Sequence, residues 1–193
     1  MGLSIGEHVV LGKRCTLLYA QLDAIRIAVG NTYGRSISQY AIRARDMVGD
    51  LCVLLEDKYE AAVRAVPGES YDRSLYVPTD LVLRVPREIR RRRPGKLSLE
   101  EHRDLAEAVT HATASIESQS DPSHLANLVG LAFGAKFCDQ VLWVDRYMMF
   151  LRTAIDDKFR IEHPVTYDQN WYRAWGGCYV ARPRSRLPRV YRS

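Results

Sequence analysis

Cysteine is scarce in this chain, and the four present, Cys15, Cys52, Cys138 and Cys178, stand far apart in sequence. That spacing fits neither a disulfide framework nor paired zinc ligands, and it points to a reducing, cytoplasmic compartment. Three of the four fall inside apolar helical patterns, where a thiol acts as a small core residue. Long apolar runs are also missing. The best candidate is interrupted by Lys136, Asp139, Asp145 and Arg146, so no membrane span is expected. Residues 1–11 contain Glu7 and no apolar stretch of signal-peptide length. Glycine-rich phosphate loops are absent too, since Gly30 to Gly34 matches neither a Walker pattern nor a dinucleotide fingerprint. No Glu-x-x-His occurs, which excludes the usual ligand set of carboxylate-bridged bundle enzymes. Glu107 and His111 stand one helical turn apart with Asp104 nearby, and they read as solvated helix surface. His8, His124 and His163 are isolated in sequence and join no Ser/His/Asp or Cys/His set. The expectation is a non-enzymatic chain with no catalytic residue, no metal and no other cofactor.

What the chain has in quantity is segregated charge. Residues 84–96 carry seven basic side chains against one acidic, and residues 160–193 carry seven against two. The total is only +5, so the remainder is acidic. Hydrophobic residues make up 47% of the chain, enough to build one core without staples.

Periodicity places helices along most of this acidic remainder. Cys15, Leu18, Leu22, Ile25 and Val29 mark one face of a helix from about residue 13 to 29, stopped by Gly30-Asn31. Ser36 and Gln39 have capping-box spacing and open a second, long helix. Its stripe runs from Ile37 through Val48, Leu55 and Tyr59 to Val66, before Pro67-Gly68. Ser98 and Glu101 repeat that spacing ahead of a third helix, with His102, Leu105, Val109, Ala112 and Ile116 facing inward. A fourth stripe runs from Leu125 to Phe159 and would exceed about 50 Å unbroken. Gly130 and Gly134 fit either a close approach of two helices or a bend in this one, and a break between residues 132 and 139 fits the pattern. Leu75-Tyr76-Val77 and residues 81–85 are short β-prone runs, fit for a hairpin or an extended arm. The fold class is therefore all-α. We expect a bundle of four or five helices over residues 1–159, with a basic arm at 69–97 between two helical hairpins. An extended tail follows at 160–193. We find no residue-level repeat between the two hairpins.

The arm holds Arg84, Arg87, Arg90, Arg91, Arg92, Arg93 and Lys96. Planar, permanently charged guanidinium groups on a loop suit a phosphate backbone. In the tail, Arg173, Arg182 and Arg184 alternate with Trp171, Tyr172, Trp175 and Tyr179. These rings can stack on unpaired bases, anchor the tail on the bundle, or dock on a protein partner.

With its two hairpins, 13–66 and 98–159, and basic Arg90 to Arg93 between them, the layout resembles the small helical-bundle subunits of CRISPR effector complexes. That resemblance implies a ribonucleoprotein subunit that lines RNA or single-stranded DNA. The alternative is a structural or assembly subunit, such as a virus-particle connector, docking on protein partners through loop and tail.

Overall fold

In a computed structural model of the chain, residues 2–77, 95–116 and 125–172 are described. They form five helices: α1 (Ile5–Tyr33), α2 (Arg35–Arg64), α3 (Leu99–Ala114), α4 (Leu125–Phe133) and α5 (Ala135–Glu162). Among the described residues there is no strand, and no helix is long and apolar enough to cross a membrane. The β-prone run Leu75 to Val77 instead forms turns, braced where Asp72 Oδ1 accepts the Ser74 amide at 2.8 Å.

Helix α1 starts two turns earlier than its apolar stripe predicts. Ser4 caps it, accepting the Glu7 amide, while the Glu7 carboxylate accepts the Ser4 amide at 2.7 Å. The first inward residue after this box is His8, fully buried but polar, so a purely apolar count passes over it. At α2 the expected box does not form. Ser36 lies inside the helix, and the Gln39 side chain donates to its carbonyl. The N-cap is Gly34, at φ 75° and ψ −169°. Only glycine adopts that region without strain. Ser98 and Glu101 do form their box, and α4 ends at Gly134, φ 92°, within the predicted interval.

Tyr76, after α2, packs beside His8 at the start of α1, and the Gly95 amide donates to Thr32 O at the end of α1. Helix α2 therefore runs back along α1, and Tyr76 and Gly95 lie at opposite ends of α1. Helices α3 and α4 descend, α5 returns, and α2 packs along α5 with Tyr40 on Phe150 and Arg43 beside Tyr147. One continuous core joins all five helices, with Leu11, Cys15, Leu22, Val48, Leu55, Met148, Leu151 and Ile155 at its centre. Each fully buried aliphatic side chain contributes about 1.5–3 kcal/mol relative to exposure.

The contacts also reveal a repeat that periodicity did not. Ser4-x-x-Glu7-His8 corresponds to Ser98-x-x-Glu101-His102, each a capping box followed by a buried histidine. Gly30-x-x-x-Gly34 corresponds to Gly130-x-x-x-Gly134. Both glycine pairs join a helix end to the next helix start, and Gly30 faces Ser38 as Gly130 faces Cys138. Tyr71-Asp72 and Tyr76 correspond to Tyr167-Asp168 and Tyr172. Tyr71 donates to Glu56 as Tyr167 donates to Asp156. Tyr76 and Tyr172 each donate to the carbonyl of the buried histidine in their own half. Contacts across the halves match as well: His8 meets Phe133, and His102 meets Tyr33. The bundle is thus built from two copies of one unit, 4–76 and 98–172, whose matching ends meet head to tail, His8 with Phe133 and His102 with Tyr33. Helix α1 of the first copy corresponds to α3 plus α4 in the second.

Candidate functional site: a buried polar node at the root of the arm

The C-terminal end of the arginine arm enters the described structure at Gly95, and its next residues are gripped by the second copy. Lys96 is exposed, whereas Leu97 is buried and held through its backbone. Its amide donates to Glu162 Oε2 at 3.0 Å, and its carbonyl accepts from His163 Nε2 at 2.8 Å. Glu162 is the last residue of α5 and His163 its C-cap. Beneath them lies His102, wholly buried, with Nε2 3.1 Å from Glu162 Oε2 and 3.3 Å from the Tyr33 hydroxyl. Tyr33 donates to the same carboxylate oxygen at 3.1 Å.

Counting protons fixes the His102 tautomer. The Tyr172 hydroxyl has one hydrogen and gives it to the His102 carbonyl at 2.8 Å. Its 2.9 Å contact with His102 Nδ1 must then be donated by the ring. In a neutral ring Nε2 is therefore a lone pair, and it faces a carboxylate. Burial lowers the His102 pKa, and Glu162 opposes that shift without cancelling it. Burial and the adjacent Glu162 both push the Tyr33 hydroxyl upward, keeping it a donor.

One nitrogen of His102, one of His163 and a Glu162 oxygen lie within 4.8 Å of one another. Among the described residues these are the side chains that could hold a metal ion. Glu107 and His111, the pair considered from spacing, lie 3.5 Å apart with both side chains 68% exposed. The first copy has the same histidine–tyrosine core but none of the rest: Phe133 replaces Tyr33, and Ala62 and Val63 occupy the places of Glu162 and His163.

Of the residues singled out by charge and aromaticity, three are described. Lys96 points to solvent beside the node. Tyr172 is 3% exposed and bonded to His102, so it is an internal anchor and offers no surface to a partner. Trp171 stacks on Phe159 with ring centroids 4.8 Å apart, and Arg103 lies over its ring. Arg84, Arg87, Arg90, Arg91, Arg92, Arg93, Arg173, Arg182, Arg184, Trp175 and Tyr179 lie outside the described residues. The described body carries sixteen basic and nineteen acidic residues, and the rest of the chain twelve and four. Several body arginines are paired: Arg45 with Asp23 and Asp46, Arg26 with Asp23, Arg160 with Asp157.

Sequence reading passed over Tyr33 and Glu162, and took His102 only as an inward position. The motif Ser-x-x-Glu-His, occurring twice, is the signal that could have exposed the node. No protein-family model, no curated protein and no solved structure matches this chain.

Proposed function

We propose that the chain is a non-enzymatic nucleic-acid-binding subunit whose acidic bundle carries basic arms to a phosphate backbone. The observation that supports it is charge segregation: the described body is net negative, and the excess of arginine lies outside it. Tethering adds to the case. The residues that flank the arm lie at opposite ends of α1, Tyr76 beside His8 and Gly95 beside Thr32. Those moorings are about 36 Å apart at helical rise. A segment held at both ends loses less freedom on binding than a free tail, so its contacts cost less entropy. Phosphate contacts of this kind position a strand without reading its sequence.

The larger ribonucleoprotein implied by the resemblance, a CRISPR effector among such assemblies, belongs to the same proposal and predicts copurifying RNA. Docking on protein through the tail is the weaker reading, because Trp171 and Tyr172 are spent on the bundle's own interior.

The test is fluorescence polarisation of a labelled single-stranded oligonucleotide over a salt series. Affinity should fall steeply with salt. Changing Arg90, Arg91, Arg92 and Arg93 to glutamine should lower the log–log slope by about 3 for four lost phosphate contacts. A slope unchanged by that substitution, or no binding at low salt, would discard the reading.

A further inference from the structure

We propose that His102, Glu162 and His163 form a binding site for a divalent transition-metal ion of the zinc type. Two imidazole nitrogens and one carboxylate oxygen suit zinc and its neighbours, whereas calcium and magnesium prefer all-oxygen shells. The three candidate ligand atoms already lie within 4.8 Å of one another.

Three further observations point the same way. The first is the proton count at His102. With Nδ1–H directed to Tyr172, the Nε2 lone pair lies 3.1 Å from Glu162 Oε2. Two electron pairs at that separation repel unless a proton or a metal cation lies between them. An Nδ1–H held by a neighbouring oxygen is also the usual outer support of a metal-binding histidine, because it fixes the ring and its tautomer. The second concerns His163. Its Nε2 donates to the Leu97 carbonyl, so a backbone oxygen fixes the orientation of this ring too.

The third is the comparison between copies. The first copy folds around His8 and Tyr76 with Phe133, Ala62 and Val63 at the corresponding places. The repeated unit therefore does not need a buried carboxylate or a second histidine for its core. Around His102 of the second copy, Glu162 and His163 from its own α5 end and Tyr33 from the first copy converge on one imidazole. The Leu97 amide and the Tyr33 hydroxyl already donate to that carboxylate, and a metal ion would add the opposite charge that these neutral donors lack. The competing account is that His102 and Glu162 share a proton while Glu162 and His163 only clamp the backbone of Leu97. The two accounts differ in what the site takes up.

The experiment uses the full chain, stripped with chelator and titrated with zinc by calorimetry and with cobalt by visible absorption. Stoichiometric uptake with the intense ligand-field bands of a tetrahedral cobalt site is expected. Glu162→Gln keeps an oxygen for the Leu97 amide but loses the charge, and His163→Asn removes a ligand at a half-buried position. Each should weaken zinc binding by at least about 10-fold, and Tyr172→Phe, acting through His102, by about 10-fold. His111→Asn, on the exposed face of α3, should leave it unchanged. Circular dichroism establishes that each variant is folded. Absence of stoichiometric zinc or cobalt uptake by the native chain overturns the proposal, whether or not the variants fold. So does uptake that Glu162→Gln and His163→Asn leave unaltered, which would assign the pair to the clamp alone.

Discussion

The two copies share a skeleton and differ in what they bury around it. In both, a capping box starts a helix, a histidine follows, and a tyrosine from the loop beyond the next helix locks that histidine's ring and carbonyl. In the first copy the ring of His8 is flanked instead by those of Tyr59 and Phe133, and Gly12 lets the backbone of Leu75 approach to where a Cβ would collide at 2.7 Å. In the second copy Ala106 stands at that position, Trp171 replaces Leu75, and the ring is surrounded by Tyr33, Glu162 and His163. Identical scaffolding thus tolerates either an aromatic filling or a polar node. The node arises only where the inter-copy arm must be moored.

The comparison can be broken hardest at the residue below each histidine. Phe159 is fully buried and packs on His102, Tyr167, Trp171 and Tyr172. Phe159→Ala should cost about 3–5 kcal/mol in a denaturant melt, since the surrounding rings cannot collapse into the space. Tyr59→Ala should cost less, because its counterpart of Trp171 is the smaller Leu75. Equal losses would mean that Trp171 adds nothing to the second copy.

The glycine joints should sharpen the comparison with a smaller effect. Gly34 and Gly134 share the same glycine-only backbone region, at φ 75° and 92°, and nothing lies within 4 Å of a Cβ added at either. Alanine at each should therefore cost about 1–3 kcal/mol from backbone strain alone, and by similar amounts. Thermal or chemical melts of the two variants would show it. A loss at only one joint would argue that the copies are not equivalent there.

The smallest effect is expected in acid. Burial lowers the pKa of both His8 and His102 from the ordinary value of 6.5. The unfolded chain then binds more protons than the folded one below that pH. Stability is full above about 6.5 and falls as the pH drops through it. Glu162 opposes the shift at His102, and only the exposed Glu7 does so at His8. His8→Asn and His102→Asn should each flatten the acid limb, as read from urea melts at neutral and mildly acidic pH. An acid limb unchanged in both variants would mean that burial does not hold these rings neutral.

Much of the fold is legible in residue order because helices are local. The stripe Ile37 to Tyr59, the box at Ser98, and the break at Gly134 need only spacing and capping chemistry to be recognised. The duplication was harder to see because matching motifs are offset by 94, 100 and 96 residues, so no constant period exists. Residues between α3 and α4 lengthen the second copy, and its loop after α5 is shorter. The start of α1 was missed for a related reason: its first inward residue is a histidine, which hydropathy counts as polar. The node was invisible because its parts come from α1, α3 and the end of α5, together with the segment after α5.

Sequence alone determined that this chain folds as helices around an apolar core, and that its cationic excess is confined to two stretches. Both are properties of neighbours along the chain, set by periodicity, capping and composition. Only tertiary structure decided that the helices form two copies facing each other. It also decided that Tyr76 and Tyr172 reach back to lock distant histidines, and that Glu162, His163 and Tyr33 converge on just one of them. Those outcomes depend on which side chains meet across helices some 60 to 130 positions apart, and local spacing carries no record of such meetings.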